Sequence, residues 1–347
     1  MDELVYFYPE GHEAHQEAGH PERPARIETI RQWLQEAGWW DQYPHLEPLN
    51  LSMEFLSTIH TPEYLKRLEK FSGLALSLDG DTYTTRASWQ LALNAAGGSA
   101  AVAGAVWRGQ GQRGFALNRP PGHHATASAG MGFCLLNNIA IAAQYVLKHP
   151  LENAPNARKL AIVDLDLHHG NGTQDIFWER NDLLFISTHQ SPLYPGSGSL
   201  EERGAGEGLG CTANFPLPPA TGDTGYLTIM EGCILPLLDR FAPEMVLVDV
   251  GFDPHWRDPL GHLRLSAAGY GTLISRLTGW ADQHCDGKIA LFTEGGYDLE
   301  AGAACAQAAV AALLGQPWED PIGPSPRPDG ESWWMVYQKA REIWQLS

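Results

Sequence analysis

Basic side chains are scarce in this chain: 23 Lys and Arg stand against 41 Asp and Glu, a formal net charge of -18 over 347 residues. Gripping a phosphate backbone takes clustered Lys and Arg that displace counterions, so no direct nucleic-acid partner is expected. An acidic surface can draw in cationic substrates such as Lys-rich peptides or polyamines, although it more often serves solubility alone. Cysteine is sparse too. Cys134, Cys211, Cys233, Cys285 and Cys305 are scattered singly, in odd number and without CxxC spacing. That argues against a disulfide framework or a cysteine zinc site and for a reducing compartment. No basic, apolar leader precedes the first apolar run, so the cytoplasm is the default expectation and no membrane partner is foreseen. The longest weakly polar stretch, 91–107, is rich in Ala and Gly but holds Asn94 and Ser99, which fits a buried, tightly packed helix better than a membrane span.

Linkers, internal repeats and low-complexity tracts are also missing, so one domain over 1–347 is expected, a length that α/β folds reach as a single unit. Apolar, β-branched runs lie at 4–8, 114–117, 160–165, 183–188, 245–250 and 289–293. Between them, helical patterning occurs near 23–36, 61–70, 88–106, 137–148, 223–241, 267–284 and 302–313. Strands apolar throughout imply an α/β fold whose central, mostly parallel sheet is buried on both faces, with helices joining neighbouring strands. In such sheets the functional crevice lies beyond the carboxyl ends of the strands, where Arg119, Asp166, His168, His189, Asp253 and Tyr297 all fall. Gly- and Pro-rich segments at 194–198 and 204–208 read as loops over that crevice. A Pro-rich stretch at 317–328 leads to a last helix at 332–346, and 314–347 is expected to pack on the domain as an extension.

The most informative residues follow two of these runs. Side chains alternate along a strand, so Asp166 and His168 project on one face where a single ion can touch both, and Asp253 completes the set. Carboxylate, imidazole and carboxylate leave coordination positions open, as a catalytic zinc site requires. Taken alone, Asp166 and His168 read better as caps of a strand end. The tandem His123-His124 after Arg119-Pro-Pro-Gly122, and Glu294-Gly-Gly-Tyr297 after a further run, add polar chemistry at the same edge.

Ordered motifs then carry a resemblance. His20-Pro-Glu-Arg-Pro24, Arg119-Pro-Pro-Gly-His-His124, Gly132-Phe-Cys-Leu-Leu-Asn-Asn138, Asp164-Leu-Asp-Leu-His-His-Gly-Asn-Gly-Thr173, Gly251-Phe-Asp253, Asp258-Pro-Leu260 and Glu294-Gly-Gly-Tyr297 span roughly 20–313. Together they resemble the histone deacetylase family, in the class II-like branch with bacterial amidohydrolases and acetylpolyamine amidohydrolases. The resemblance implies an arginase-like α/β domain. It implies Asp166, His168 and Asp253 as ligands of Zn2+, with Fe2+ equally suited to such donors. His123 and His124 become the paired imidazoles beside the attacking water, backed by Asp164 and Asn171 respectively. His124 is the candidate base, and the neutral Asn171 behind it favours a proton-accepting ring. Tyr297 becomes the oxyanion donor, where a core aromatic is the plainer alternative.

By the same resemblance Phe133, with Gly132 before it, and Tyr194 form the aromatic walls of an acyl-lysine tunnel, Tyr standing where the family usually has Phe. Asp79 and Asp81 compete for the rim aspartate that holds a substrate backbone, with Asp79 favoured, and both also read as solvated turn carboxylates. Arg23 is the candidate for an internal exit channel, with a helix-start arginine in a surface ion pair nearly as well supported. A structural K+ or Na+ ion, bound largely by main-chain carbonyls, maps to Asp164, Asp166, His168, Ser187 and Thr188. The implied activity is removal of an acetyl or related acyl group from a lysine-like amine, in a peptide, a protein or a small N-acyl amine. Acetylpolyamine hydrolysis competes with it, and Leu260, where one polyamine-directed branch carries Glu, tilts the balance toward acyl-lysine. A catalytically silent acyl-ligand binding protein is the alternative outside catalysis, and a homo-oligomer is left open.

Overall fold

A computed structural model describes residues 2–151 and 159–346. In chain order the elements are β1 (Asp2–Phe7), α1 (Ala25–Glu36), α2 (Met53–Leu56), α3 (Pro62–Leu74), α4 (Ser88–Trp107), β2 (Gly111–Ala116), α5 (Asn138–Lys148), β3 (Leu160–Asp164), α6 (Asn171–Phe177), β4 (Leu183–Gln190), β5 (Thr212–Leu217), α7 (Asp223–Ile229), α8 (Leu235–Phe241), β6 (Met245–Val250), α9 (Ala267–His284), β7 (Ile289–Thr293), α10 (Leu299–Leu314) and α11 (Trp333–Trp344). The seven strands form one sheet in the order β1-β2-β7-β6-β3-β4-β5, and every pairing is parallel.

Alternation along β1 shows how the layers arise. Leu4 and Tyr6 pack with Ile27, Ile30 and Leu34 of α1, whereas Val5 and Phe7 face the opposite side with α3, α4 and α5. Each fully buried aliphatic or aromatic side chain contributes roughly 1.5–3 kcal/mol through area removed from water. With helices on both faces, β3, β4, β6 and β7 are buried at every residue, as apolar parallel strands must be. The Ala- and Gly-rich 91–107 stretch lies within α4, buried from Ala95 onward. Among the described residues no helix is long and apolar enough to cross a membrane.

Three expectations change. First, β5 was absent from the apolar runs because Asn214 and Pro216 interrupt its pattern; it is an edge strand, the place where a sheet tolerates a residue with no N–H to donate. Second, the helix expected over 223–241 runs as α7, a π-helical turn at Met230–Ile234 and α8, with Pro236 at the start of α8, where the missing amide costs least. Third, the helices do not all join neighbouring strands. β7 and β6 lie between β2 and β3, so the chain skips two positions, builds outward through β4 and β5, then returns to fill the gap. Periodicity reports which faces a segment buries but not which strand lies beside it. That return places the carboxyl ends of β3, β6 and β7 side by side.

The segment after α10 is pinned to the sheet layer. Ala268 N–H donates to Asp320 Oδ2 at 3.0 Å, Trp256 Nε1–H to Gly323 O at 3.1 Å and Gly330 N–H to Ala220 O at 2.7 Å. α11 then buries Ala340 and Trp344 in the core beside β5.

Candidate metal centre and active site

Beyond β3 the chain turns through Asp166 and His168, and beyond β6 through Asp253. Nδ1 of His168 lies 3.2 Å from Oδ1 of Asp166 and 3.2 Å from Oδ2 of Asp253. Donor atoms of the three residues all fall within 4.8 Å of one another. The strand-cap reading accounts for part of this, because Asp166 Oδ1 accepts from His168 N at 2.8 Å and Asp253 Oδ1 from Leu167 N at 3.0 Å. It leaves Asp253 Oδ2 buried and, among the described residues, without a well-formed hydrogen bond, since the His168 Nδ1 beside it at 3.2 Å is shared with Asp166; such an oxygen costs stability unless a cation shares it. Two carboxylates and one imidazole, converging on one point, fit a borderline divalent ion such as Zn2+ or Fe2+. Burial disfavours charge on His168, yet the hydrogen bonds and charges of Asp166 and Asp253 push its pKa up to about 10, a measure of the negative field an ion would meet.

Glycines make this approach possible. A Cβ on Gly251 would sit 1.8 Å from Asp166 Oδ2, and one on Gly295 would sit 2.2 Å from Asp253 Oδ2. Gly295 also donates its N–H to Asp166 Oδ2 at 2.8 Å. Two other donor groups, His123 with Cys134 and Glu294 and His123 with Asp164 and Asp249, are equally compact. Each depends on His123, whose Nδ1 is already held by Asp164, and burial keeps the Cys134 thiol protonated.

His123 and His124 stand 4.0 Å apart between ring centroids, behind different partners. His123 Nδ1 meets Asp164 Oδ2 at 3.0 Å, and His124 Nδ1 meets Asn171 Oδ1 at 2.7 Å. Burial opposes charge on both rings. For His123 the charges of Asp166 and Asp164 outweigh it and raise the pKa well above the usual imidazole value. For His124 burial is reinforced by the neighbouring His123 and His168, and the pKa falls well below. The two rings are therefore pushed in opposite directions.

Tyr297 follows Gly296, whose φ of +112° is open to glycine and lets the chain double back on Phe252. Its N–H donates to Asp258 Oδ2 at 2.6 Å, while Asp258 Oδ1 accepts from Leu260 N at 3.0 Å. Burial and the charge of Asp253 push Asp258 up to about 7. Beneath the ring lies the Arg26 guanidinium, 4.8 Å from its centroid, donating through Nε to Gly296 O at 2.7 Å and also to Glu294 O.

These groups line a cleft of about 300 Å³. Phe133 stands edge-on to Tyr297 at 5.9 Å, Tyr194 edge-on to His124 at 5.1 Å, and Gly132, Leu260 and Asp81 complete the walls and mouth. Phe133 holds φ at +70°, an uncommon backbone for a side chain of its size and one that aims it into the cleft. Ser187 and Thr188 lie buried on β4 beside the end of β3, with Thr188 Oγ1 donating to Asp164 O at 3.4 Å and Ser187 Oγ 2.9 Å from His189 Nδ1.

Several expectations need correction. Asp79 is not at the cleft: its Oδ1 accepts from the backbones of Asp81 and Thr82 at 3.1 and 2.7 Å, so it shapes the turn, and Asp81 lines the mouth. Arg23 is exposed, and Arg26, one turn along α1, is the buried arginine behind the site. Arg119 and His189 also lie behind the cleft rather than in it. Arg119 pairs with Glu22 through Nε at 2.7 Å, and His189 Nε2 is 2.9 Å from Gly198 O in the loop that carries Tyr194. Sequence reasoning also missed Glu22, Arg26, Asp258 and Glu294. Glu294 Oε2 accepts from Gly122 and His123 backbone N–H at 2.7 and 3.2 Å, bracing the histidine pair. Glu22, Asp258 and Glu294 sit inside quoted motifs, but a carboxylate that binds main chain, as Asp258 and Glu294 do, or a distant arginine, as Glu22 does, leaves no spacing signal.

Residues 20–313 match the histone deacetylase domain. This chain belongs to the histone deacetylase family. A probable deacetylase of Archaeoglobus fulgidus is 41% identical over 298 residues, covering 85% of this chain and 81% of that protein. The histone deacetylase-like amidohydrolase of Pseudomonas aeruginosa is 33% identical over 301 residues, covering 86% and 78%. Among solved structures, the HDA15 HD domain superposes with a TM-score of 0.87 at 33% identity, over 99% of this chain and 95% of that one. Membership in the deacetylase family makes a hydrolase of acylated amines the supported activity, and the family is generally metal-dependent.

Proposed function

We propose that the chain is a zinc-dependent amidohydrolase that removes an acetyl or related acyl group from lysine-like amines. The observation that carries this is the Asp166–His168–Asp253 cluster, with its orphaned Asp253 oxygen, at the base of an aromatic-walled cleft between Tyr297 and the histidine pair. When bound there, zinc supplies Lewis acidity toward the acyl carbonyl and lowers the pKa of water; iron(II) would suit the same donors. A K+ or Na+ ion at the Asp164–His168 turn belongs to the same proposal, on family resemblance.

The chain's own groups do the rest. Asn171 Oδ1 is an acceptor, so His124 carries its proton on Nδ1 and keeps the Nε2 lone pair free to take a proton from water and return it to the departing amine. His123, held as imidazolium by Asp164, supplies fixed positive charge beside it. The Tyr297 hydroxyl donates to the oxyanion as it forms. Phe133 and Tyr194 grip the methylene stem by many weak contacts. Leu260 gives the wall no carboxylate for a second ammonium, which supports acyl-lysine over acetylpolyamine. The cytoplasm remains the compartment we assign, since all five cysteines are unpaired. The deciding experiment assays purified protein, metal-stripped and zinc-loaded, on an acetyl-lysine peptide, acetylspermidine and small N-acyl metabolites. Turnover of the peptide only when loaded supports the reading; equal binding without turnover in both states would leave a silent acyl-binding protein.

A further inference from the structure

The mouth of the cleft is built on a histidine that the mechanism above does not use. His20 precedes α1 in the chain and reaches across to the 79–82 turn, where its Nε2 lies 3.0 Å from the main-chain oxygen of Asp81. A carbonyl can only accept, so Nε2 carries the proton and donates it. The other ring nitrogen, Nδ1, has both Glu22 N at 3.1 Å and Glu22 O at 3.2 Å beside it and, with the proton on Nε2, accepts from the Glu22 N–H. Both nitrogens are thus engaged by main chain, one on each side of the ring.

The ring is also packed. It stands edge-on to Phe133 at 4.6 Å and to Tyr83 at 4.7 Å, so it touches the tunnel wall and the strand of chain that follows the turn. The turn has two further ties. Asp79 Oδ1 closes it from within, and Phe133 N–H donates to Thr82 Oγ1 at 3.2 Å. On the far side, Glu22 is fully buried between Arg119 and Arg26, with Tyr83 Oη donating to its Oε2 at 3.2 Å. A rigid buried anchor therefore holds His20, and His20 holds the main chain of Asp81 at the cleft mouth.

An exposed carboxylate on a free turn would gain little from a substrate, because ordering the turn would offset the new hydrogen bond. A carboxylate already fixed at the mouth can accept a peptide N–H as a charge-assisted bond without that loss. An acylated alkylamine presents no main-chain amide at this level. Resting on the deacetylase reading, we infer that His20 is a positioning residue that holds Asp81 ready for a substrate main chain, so that the enzyme acts on acyl-lysine within a peptide in preference to free acyl amines.

The test compares an acetyl-lysine tripeptide amide with N-acetylhexylamine on the zinc-loaded enzyme. His20→Phe keeps the ring packing but removes the donor, which makes it the variant most apt to fold. It should lower kcat/KM for the peptide about tenfold, as expected for weakening one bond to a charged group, and do so through KM. Hydrolysis of N-acetylhexylamine should change by less than about twofold. His20→Gln, which restores a donor, should recover part of the loss. In an Asp81→Asn background, His20→Phe should add nothing further. Equal losses on the two substrates, a loss in kcat alone, or full additivity with Asp81→Asn would overturn the inference. A wild-type enzyme that hydrolyses neither substrate overturns the deacetylase reading itself, and is told apart because the failure precedes any substitution.

Discussion

His124 rests its Nδ1 on Oδ1 of Asn171 at 2.7 Å, a neutral partner in a site otherwise crowded with carboxylates. His123 sits instead on Asp164 at 3.0 Å, and the charges of Asp166 and Asp164 raise its pKa, while burial beside His123 and His168 lowers that of His124. Exchanging Asn171 for Asp would place a negative charge behind the proposed base and favour its imidazolium. A base works deprotonated, so raising its pKa moves the acidic limb of the kcat/KM profile to higher pH. Asn171→Asp should shift that limb upward by about 1–2 units. A limb that stays in place would mean that His124 is not the group titrating on the acid side.

Tyr297 lines the same cleft as the histidine pair, on a backbone held by Asp258 and turned at Gly296. Tyr297→Phe preserves the ring and removes one donor. We expect kcat to fall about a hundredfold or more with KM little changed, as for other oxyanion donors. Unchanged kcat in a folded variant would return Tyr297 to a packing role over Arg26.

Asp253→Ala removes one of three proposed ligands and should abolish stoichiometric divalent metal, measured by elemental analysis, together with activity. Gly251→Ala reaches the same site by crowding, since its Cβ would lie 1.8 Å from Asp166 Oδ2. Displacing that carboxylate should weaken metal binding and cost about 1–3 kcal/mol of stability by overpacking. Full metal occupancy in Asp253→Ala would show that the ligand set has been misassigned.

Leu260 lines the cleft half-buried, next to the Asp258 turn. Leu260→Glu should move the kcat/KM ratio toward acetylspermidine over acetyl-lysine peptide by roughly 1–3 kcal/mol if the new charge pair is partly desolvated. Should wild type already prefer acetylspermidine, or should the ratio hold still, Leu260 would not be the selector.

The family was legible in its ordered motifs and the α/β class in the apolar runs, and the linear chain also singled out Asp166, His168, Asp253, His123, His124 and Tyr297 as candidates, because each follows an apolar run at the sheet edge where α/β folds place their crevice. Continuous burial of β3, β4, β6 and β7 was legible in their apolar runs: a strand covered on both faces is filled mostly with apolar residues, and its polar ones, such as Asp164, Ser187 and Thr188, gather toward the carboxyl end. The order β1-β2-β7-β6-β3-β4-β5 was not, since hydrophobic patterning carries no record of which neighbour a strand chooses. Edge strand β5 escaped notice because an edge tolerates Pro216 and Asn214. Only the folded chain distinguished Asp81 from Asp79, two similar carboxylates two residues apart, by turning one into its own backbone and the other toward the cleft. Only it put Arg26 rather than Arg23 beneath Tyr297, because α1 begins at Ala25, leaving Arg23 outside the helix and exposed, and a charged side chain gives no sign of its partner before the partner arrives. Glu22 belongs to the same class: its burial between two arginines joins segments about a hundred residues apart, and such a pairing exists only once the tertiary structure has paid the cost of bringing them together.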